Sequence, residues 1–248
     1  MKLLHDHKQE VRKIAVILAA GRGARLAPLT NDIPKCLLPI GRTTIIEFQI
    51  RQLRTIGFTD ITIVTGYHQE KVVRACGKKN IHYIHNKDYA VTNSLYSLYM
   101  AREAIKEGGY VFNSDVVFHL DILKDLVSSP YENAIVGDFR KNLGEEEMKI
   151  VARGHRLSKI SKDIAPDRAH GENLGLVKLS PAGAKALIHA AEKEIQKSSL
   201  NLWVPQGIAL ILPRIPFYVI PTHSRPWIEI DYIHDLEKAK KEIYPLCR

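Results

Sequence analysis

Apolar runs alternate with segments of helical spacing along the first third of the chain. A continuous apolar run at residues 14–20 precedes a glycine-rich turn, and a second run lies at 61–66. Between them, residues 45–56 place apolar side chains at helical intervals, and a charged helix at 70–75 leads to a short strand at 81–84. Uninterrupted apolar strands separated by helices are typical of a parallel sheet that is covered on both faces. The pattern therefore predicts a right-handed series of alternating strands and helices.

The rest of the chain continues this series and then becomes less regular. Asn93 is suited to cap a helix that precedes a strand predicted at 110–115. Pro181 suits the first turn of a helix over 182–197, and Asp231 can cap a final helix that ends near residue 243. Short strands are predicted in the second half at 134–139, 148–152, 174–179, 217–220 and 227–230.

These elements predict an α/β fold. We expect a Rossmann-like, open, mostly parallel twisted sheet with helices on both faces, and a small antiparallel addition in the second half. The chain has 248 residues, of which 45% are apolar and 25% charged, so wholesale disorder is excluded. We expect a leader at 1–13 and a single domain over 14–248, with a first half at 14–130 and a second half at 131–248.

The longest apolar run is far shorter than the ~20 residues that cross a membrane as a helix, and the N-terminus lacks the apolar centre of a signal peptide. We therefore expect a cytoplasmic protein with no membrane insertion.

Positive charge is concentrated near the start of the chain. There are 36 Lys and Arg against 27 Asp and Glu, a net charge of +9. Residues 1–80 carry 14 Lys and Arg against 6 Asp and Glu, whereas residues 81–248 carry 22 against 21. A focused positive field suits a polyanion such as nucleic acid or nucleotide phosphates. No nucleic-acid-binding motif and no extended basic track accompany this charge, which disfavours nucleic acid as a partner.

A glycine-rich loop follows the first strand and carries basic residues. Gly21 and Gly23 allow the backbone to approach an anion closely, and Arg25 and Lys35 add positive charge. A dinucleotide-binding fingerprint would need a third glycine where Leu26 stands, and the spacing of a P-loop is absent. The loop is therefore equipped for phosphate but belongs to neither of these two classes.

The same loop carries a longer pattern. LAAGRGARL at 18–26 and PKCLLPIG at 34–41 resemble the sugar nucleotidyltransferase superfamily, as does VTGY at 64–67. The segment HNKDYAVTNSLYSLYMAREA at 85–104 is similar to one in phosphocholine cytidylyltransferases of the bacterial LicC type. NSD at 113–115 and WIEID at 227–231 stand where that branch carries acidic metal sites.

The resemblance implies a function and a set of site residues. It implies transfer of CMP from CTP to a small phosphorylated headgroup such as phosphocholine, with release of pyrophosphate, the first half of the chain binding the nucleotide and the second half the acceptor. The implied catalytic residues are Arg25, Lys35, Asp115 and Asp231. The implied nucleotide-binding residues are Ala19, Gly21, Gly23, Arg25, Lys35, Asn93 and Ser94. The implied Mg²⁺ ligands are Asp115 and Asp231, with Glu229 as a weaker third candidate.

A quaternary ammonium headgroup would call for an aromatic cage, because such cations bind over ring faces. The candidates for the acceptor site are Trp203, Trp227, Tyr96 and Tyr89, with Glu172 as a counter-charge. A core role for Tyr96 and Trp203 stays open beside this interpretation, as does a capping role for Asp231.

Two other functions stay open. One is a nucleotidyltransferase of the same fold that uses UTP, GTP or dTTP and a sugar 1-phosphate. The other is a nucleotide-binding regulatory subunit without catalysis, which the presence of all four implied catalytic residues disfavours. A homo-oligomer is compatible with every one of these interpretations.

Overall fold

The computed structural model describes residues 12–140 and 143–247, so most of the leader expected at 1–13 lies outside the described residues. Among the described residues, seven strands of the main sheet run in one direction, and the remaining two reverse it. The strands are β1 (Ile14–Ala19), β2 (Asp60–Thr65), β3 (Ile81–His85), β4 (Gly109–Asn113), β5 (Val116–Phe118), β6 (Ala134–Asp138), β7 (Lys149–Arg153), β8 (Arg156–Ser161), β9 (Gly171–Leu179), β10 (Tyr218–Pro221) and β11 (Trp227–Glu229).

Helices connect these strands. They are α1 (Ile45–Thr55), α2 (Gln69–Cys76), α3 (Ser94–Met100), α4 (Arg102–Ile105), α5 (Leu120–Ser128), α6 (Pro181–Gln196), α7 (Val204–Ile211), α8 (Ile233–Lys238) and α9 (Tyr244–Cys247). A π-helical segment, Ala239–Ile243, joins the last two. No helix in the described part of the chain is both long enough and apolar enough to cross a membrane.

The order of strands confirms the predicted fold class. Within the described residues the main sheet reads β3-β2-β1-β4-β9-β6-β10-β8-β7, and β5 and β11 form a separate antiparallel pair. The strands β3, β2, β1 and β4 are mutually parallel, while β9 enters antiparallel between β4 and β6. The hairpin of β7 and β8 supplies the expected antiparallel addition.

Two apolar layers cover the sheet because side chains of a strand alternate between its faces. In β1, Ala15 and Ile17 pack on one face with α1 and α5, while Val16 and Leu18 pack on the other with α3, α6 and α7. All four are nearly or fully buried. This explains why the first strand is apolar at every position and why its end, followed by the glycine loop, lies at the edge where parallel strands place ligands.

Local signals set several helix ends, and those at Asn93 and Pro181 were predicted. Thr44 and Glu47 form a reciprocal capping box at the start of α1. The side chain of Asn93 accepts a hydrogen bond from the backbone N–H of Ser94 at the start of α3. Ser180 caps α6, whose first residue is Pro181.

The structure corrects other predictions. The helix expected after Asn93 is two short helices, α3 and α4, and the pattern missed β5, β8, α5 and α7. The final helix begins at Ile233 rather than beside Asp231, because the side chain of Asp235 accepts the backbone N–H groups of both Asp231 and Tyr232. Asp231 is therefore not the cap, and its own carboxylate points to other partners.

Candidate active site

The glycine loop is held tightly against Lys35. Gly23 has a φ of 77°, a left-handed conformation that favours glycine, and a Cβ there would come within 2.7 Å of the Lys35 Cβ. The hydroxyl of Thr30 donates to the carbonyl of Gly23 at 2.8 Å. Because the loop has no side chain at this point, the lysine can run alongside its backbone and present its ammonium beyond it.

Pairing of two short strands brings distant carboxylates together. In β5 and β11, Val116 lies opposite Glu229, and the backbone N–H of Ile230 donates to the carbonyl of Asp115 at 3.0 Å. These bonds fix Asp115 beside Glu229 and Asp231, although more than a hundred residues separate them in sequence. One ligand oxygen from each of the three carboxylates lies within 4.8 Å of the others.

Two basic side chains face this cluster. The Lys35 Nζ lies 2.8 Å from Asp115 Oδ2 and 2.7 Å from Asp231 Oδ1. On the outer side, Arg25 Nη2 lies 2.9 Å from Asp231 Oδ2, and the guanidinium stacks over the ring of Tyr232. The arrangement forms a chain of alternating charges along the cleft.

Burial and neighbouring charges shift the pKa values of the carboxylates in this cluster. Burial, together with the negative charges of Asp115 and Asp231, raises the pKa of Glu229 to about 8. For Asp231, burial acts to raise the pKa, but Lys35 and Arg25 hold it below its ordinary value. Asp115 Oδ1 is buried and has no hydrogen-bond partner among the described residues. The cluster could therefore accept a further positively charged group.

A cavity of about 440 Å³ opens beside the cluster. Six of the seven predicted nucleotide-binding residues line it, namely Gly21, Gly23, Arg25, Lys35, Asn93 and Ser94. The three candidate metal ligands, Asp115, Glu229 and Asp231, line it too. Ala19 does not line it, because its side chain packs on the opposite face of the sheet from that of Leu18, which lines the cavity together with Ala20.

Asn93 and Ser94 are anchored as well as exposed to the cavity. The side-chain amide of Asn93 donates to Asn201 Oδ1 at 3.0 Å, and Ser94 Oγ accepts the backbone N–H of Val204 at 2.9 Å. The two residues join α3 to the segment that carries Trp203. This linkage orders one wall of the cavity.

The predicted aromatic cage is only partly assembled. Trp203 and Tyr89 line the cavity. Tyr96 does not, and its hydroxyl instead donates to Asp88, which precedes α3, in an exposed hydrogen bond. Trp227 does not either, because its indole N–H donates to Asp138 Oδ2 at 3.1 Å.

Glu172 also lies outside the cavity lining, and its counter-charge is already present. Its carboxylate pairs with Arg140 at 2.7 Å. Burial raises the pKa of Glu172, while the hydrogen bond and charge of Arg140 act in the opposite direction. The structure therefore does not bring Glu172, Tyr96 or Trp227 to the cavity lining.

Sequence reasoning missed three polar residues that line the second-half side of the cavity. Lys162 and Glu146 come from charged turns on either side of the β7–β8 hairpin, and nothing in their local pattern marks them. Asn173 is different, because it directly precedes the apolar residues predicted as a strand at 174–179 and is buried in β9. An amide beside such a strand is a signal that could have been followed, because a buried amide needs hydrogen-bond partners.

The fold and this site place the chain among the nucleotidyltransferases. The family model of the MobA-like NTP transferase domain matches residues 15–168, which is more than half of the chain, so the chain belongs to that family. The match confirms the resemblance noted in the sequence.

The similarity to relatives with assigned activities extends over nearly the whole chain. The CTP:phosphoglutamine cytidylyltransferase of Campylobacter jejuni is 26% identical over 246 residues, covering 90% of this chain and 97% of that protein. The choline-phosphate cytidylyltransferase of Streptococcus pneumoniae is 26% identical over 230 residues, covering 92% and 96%. The solved structure of CTP:phosphocholine cytidylyltransferase from S. pneumoniae (LicC) matches with a TM-score of 0.79 at 25% identity, covering 93% of this chain and 99% of that chain.

Proposed function

We propose that this protein transfers CMP from CTP to a small phosphorylated headgroup and releases pyrophosphate. The observation that carries the proposal is the meeting of Asp115, Glu229 and Asp231 around Lys35, directly beside a glycine loop of phosphate-binding type. Cytidylyl transfer is favoured over use of another nucleotide by the two relatives named above, both of which are cytidylyltransferases.

The chemistry needs no side-chain nucleophile. An oxygen of the acceptor phosphate attacks the α-phosphorus of CTP, a new P–O bond forms, and the bond to the bridging oxygen breaks as pyrophosphate leaves with the electron pair. A phosphate monoester, with its second pKa near 6, is largely dianionic at neutral pH. The barrier therefore lies in aligning two polyanions and neutralising their charge.

Lys35 and Arg25 are the residues we assign to that neutralisation. Both line the cavity beside the loop, and both are now balanced by Asp115 and Asp231. A triphosphate entering the cavity offers them stronger anionic partners. Gly21 and Gly23 let the phosphates approach the backbone closely.

The carboxylate cluster fits a Mg²⁺ ion. Mg²⁺ prefers oxygen ligands and is commonly held by one or two carboxylates together with phosphate and water. Asp115 Oδ1 has no partner among the described residues. Burial, and after it the negative charges of Asp115 and Asp231, raises the pKa of Glu229, and a cation would balance those charges. We propose Asp115 and Asp231 as its ligands and Glu229 as a third, the ion supplying charge neutralisation at the phosphates.

A pyrophosphate-release screen tests the function. The full chain is incubated with Mg²⁺, each of CTP, UTP, GTP and dTTP, and each of several phosphorylated headgroups and sugar 1-phosphates. We expect turnover with CTP and a headgroup phosphate. Turnover only with another nucleotide and a sugar 1-phosphate would favour the second function considered above, and CTP binding without any turnover would favour a regulatory subunit.

A further inference from the structure

The exposed aromatic ring of the cavity already holds a cation. Trp203 has 37% of its surface exposed and lines the cavity immediately before α7. The Lys162 Nζ lies 5.1 Å from the centroid of its ring. A cation over an aromatic face is the geometry by which proteins bind quaternary ammonium groups. Here the protein's own ammonium takes that position.

The carboxylates near this ring are engaged as well. Glu146 lies 3.6 Å from both Lys162 and Arg25, and its exposed carboxylate is shared between them. Glu172 pairs with Arg140 and lies outside the cavity lining. A positively charged acceptor tail would therefore meet the like charge of Lys162 and find no unpaired carboxylate on this side of the described cavity lining. Like charges in a partly buried site repel with little screening.

The same wall contains a polar group that requires a partner. Asn173 lies on β9, lines the cavity and is only 6% exposed. Its Oδ1 has no hydrogen-bond partner among the described residues. A buried amide oxygen left without a hydrogen-bond donor costs about 1–3 kcal/mol. A ligand hydroxyl both donates and accepts, so it matches an amide, whereas a trimethylammonium group offers no N–H or O–H donor.

These contacts deepen the cytidylyltransferase function proposed above, on which this inference rests. We infer that the acceptor is a phosphate monoester with an uncharged, hydroxylated tail, that Asn173 binds one of its hydroxyl groups, and that Lys162 excludes quaternary ammonium tails. The flat ring of Trp203 and the side chains of Met148 and Pro205 give the carbon skeleton of such a tail an apolar surface.

The wild-type protein tests the inference first. With saturating CTP and Mg²⁺, kcat/KM is measured for glycerol 3-phosphate, inositol 1-phosphate, phosphoethanolamine and phosphocholine. We expect the better hydroxylated acceptor to exceed both amines at least tenfold. A preference for either amine would overturn the inference while leaving cytidylyl transfer intact. Absence of turnover with every acceptor and every nucleotide of the earlier screen would instead overturn the proposed function.

Two variants then separate the two roles. Lys162→Met keeps a side chain of similar length without its charge, and we expect the preference for hydroxylated acceptors over phosphocholine to fall at least tenfold. Asn173→Ala is expected to lower kcat/KM for hydroxylated acceptors about tenfold and to leave phosphocholine turnover nearly unchanged.

Lys159→Met is the matched control for the lysine. Lys159 lies on β8 near Lys162 but is exposed and outside the cavity lining, so the acceptor preference should not change. CTP affinity, measured by calorimetry, shows that each variant retains its fold. An equal loss for all four acceptors in Lys162→Met would show that the lysine binds the common phosphate, and would overturn its role as a filter.

Discussion

Lys35 is the internal counter-ion of the carboxylate cluster. Its ammonium contacts Asp115 and Asp231, and 12% of its side chain is exposed. Burial acts to lower the pKa of Lys35, but the charges of Asp115, Asp231 and Glu229 outweigh it and raise the pKa above its ordinary value. The lysine therefore stays charged at neutral pH and balances part of the negative charge of the cluster.

Replacing this lysine tests that role through stability. Lys35→Met removes the counter-ion of Asp115 and leaves Asp231, also partly buried, with Arg25 alone, so we expect a loss on the order of 3 kcal/mol of unfolding free energy in chelator. Mg²⁺ should then stabilise the variant more than it stabilises the wild type, as measured by thermal unfolding with and without the ion. Lys124→Met, which removes an exposed pair with Asp121, is the control and should change little. Equal Mg²⁺ responses in the variant and the wild type would contradict the account.

The site residues differ in how far sequence could find them. Gly21, Gly23, Arg25 and Lys35 lie within one local motif, so their spacing alone predicts that they share a loop. The direction of a side chain such as Tyr96 depends on a partner, Asp88, that no periodicity marks. The position of Lys162 at the cavity depends on how a whole hairpin packs, and local pattern carries no information about that.

At the level of elements, α1 supports the turn that carries Asp115. The side chain of Gln49 donates to the carbonyls of Asn113 at 2.9 Å and Val116 at 2.8 Å. These two carbonyls flank the turn between β4 and β5. The helix thereby holds one metal-ligand candidate in place without touching the cavity.

Removing the hydrogen bonds of Gln49 should lower the stability of the protein. We expect Gln49→Met to lower the free energy of unfolding by about 1–3 kcal/mol, because it leaves two carbonyls without a donor, and to slow turnover by displacing Asp115. Chemical denaturation and pyrophosphate release measure the two effects. Gln196→Met, at an exposed position near the end of α6, is the control. Unchanged stability and turnover in Gln49→Met would show that α1 does not position the turn.

The start of α1 gives a pH-dependent prediction. Burial acts to raise the pKa of Glu47, but hydrogen bonds from the backbone N–H and hydroxyl of Thr44 and from Thr43 hold it below its ordinary value. Because the folded pKa is lowered, the stabilisation is present above the pKa of the unfolded chain, near 4.3, and is lost as the pH falls through the folded value.

We therefore expect Glu47→Ala to cost about 1 kcal/mol at pH 7 and less at pH 4, as measured by chemical denaturation of both proteins at the two pH values. A difference from wild type that stays constant between pH 7 and pH 4 would show that the carboxylate charge plays no part in the cap.

Elements with strong local patterns were predictable, whereas elements defined by distant partners were not. The strand β1 is buried on both faces and α1 begins with a capping box, so contiguous residues of the sequence predict both elements. The strand β5 has three residues, and its partner β11 lies more than a hundred positions away. The pairing of β5 with β11 brings Asp115 and Asp231 together. Hydrophobic periodicity does not predict this pairing, so only the family resemblance indicated that the two residues share a site.

At the scale of the whole molecule, the strand ends, the basic loop and the acidic cluster converge on one cavity. Ligand binding to the folded state alone should stabilise the whole protein. With CTP at about 100 times its Kd, the expected gain is about 2.7 kcal/mol, or roughly 5–10 °C in Tm for a chain of this size. Differential scanning fluorimetry with CTP and Mg²⁺ measures it. The same shift with inorganic sulfate alone would show non-specific anion binding rather than a nucleotide site.

The most direct measurement follows the α-phosphate itself. CTP labelled at the α-phosphorus is incubated with Mg²⁺ and the preferred phosphorylated acceptor, and products are separated for the wild type, Asp115→Asn and Asp231→Asn. The account predicts that the wild type moves the label into a CMP-linked acceptor with one equivalent of pyrophosphate, and that each variant loses at least a hundredfold in rate while remaining folded. Label released only as free CMP, or either variant transferring it at the wild-type rate, would contradict the account.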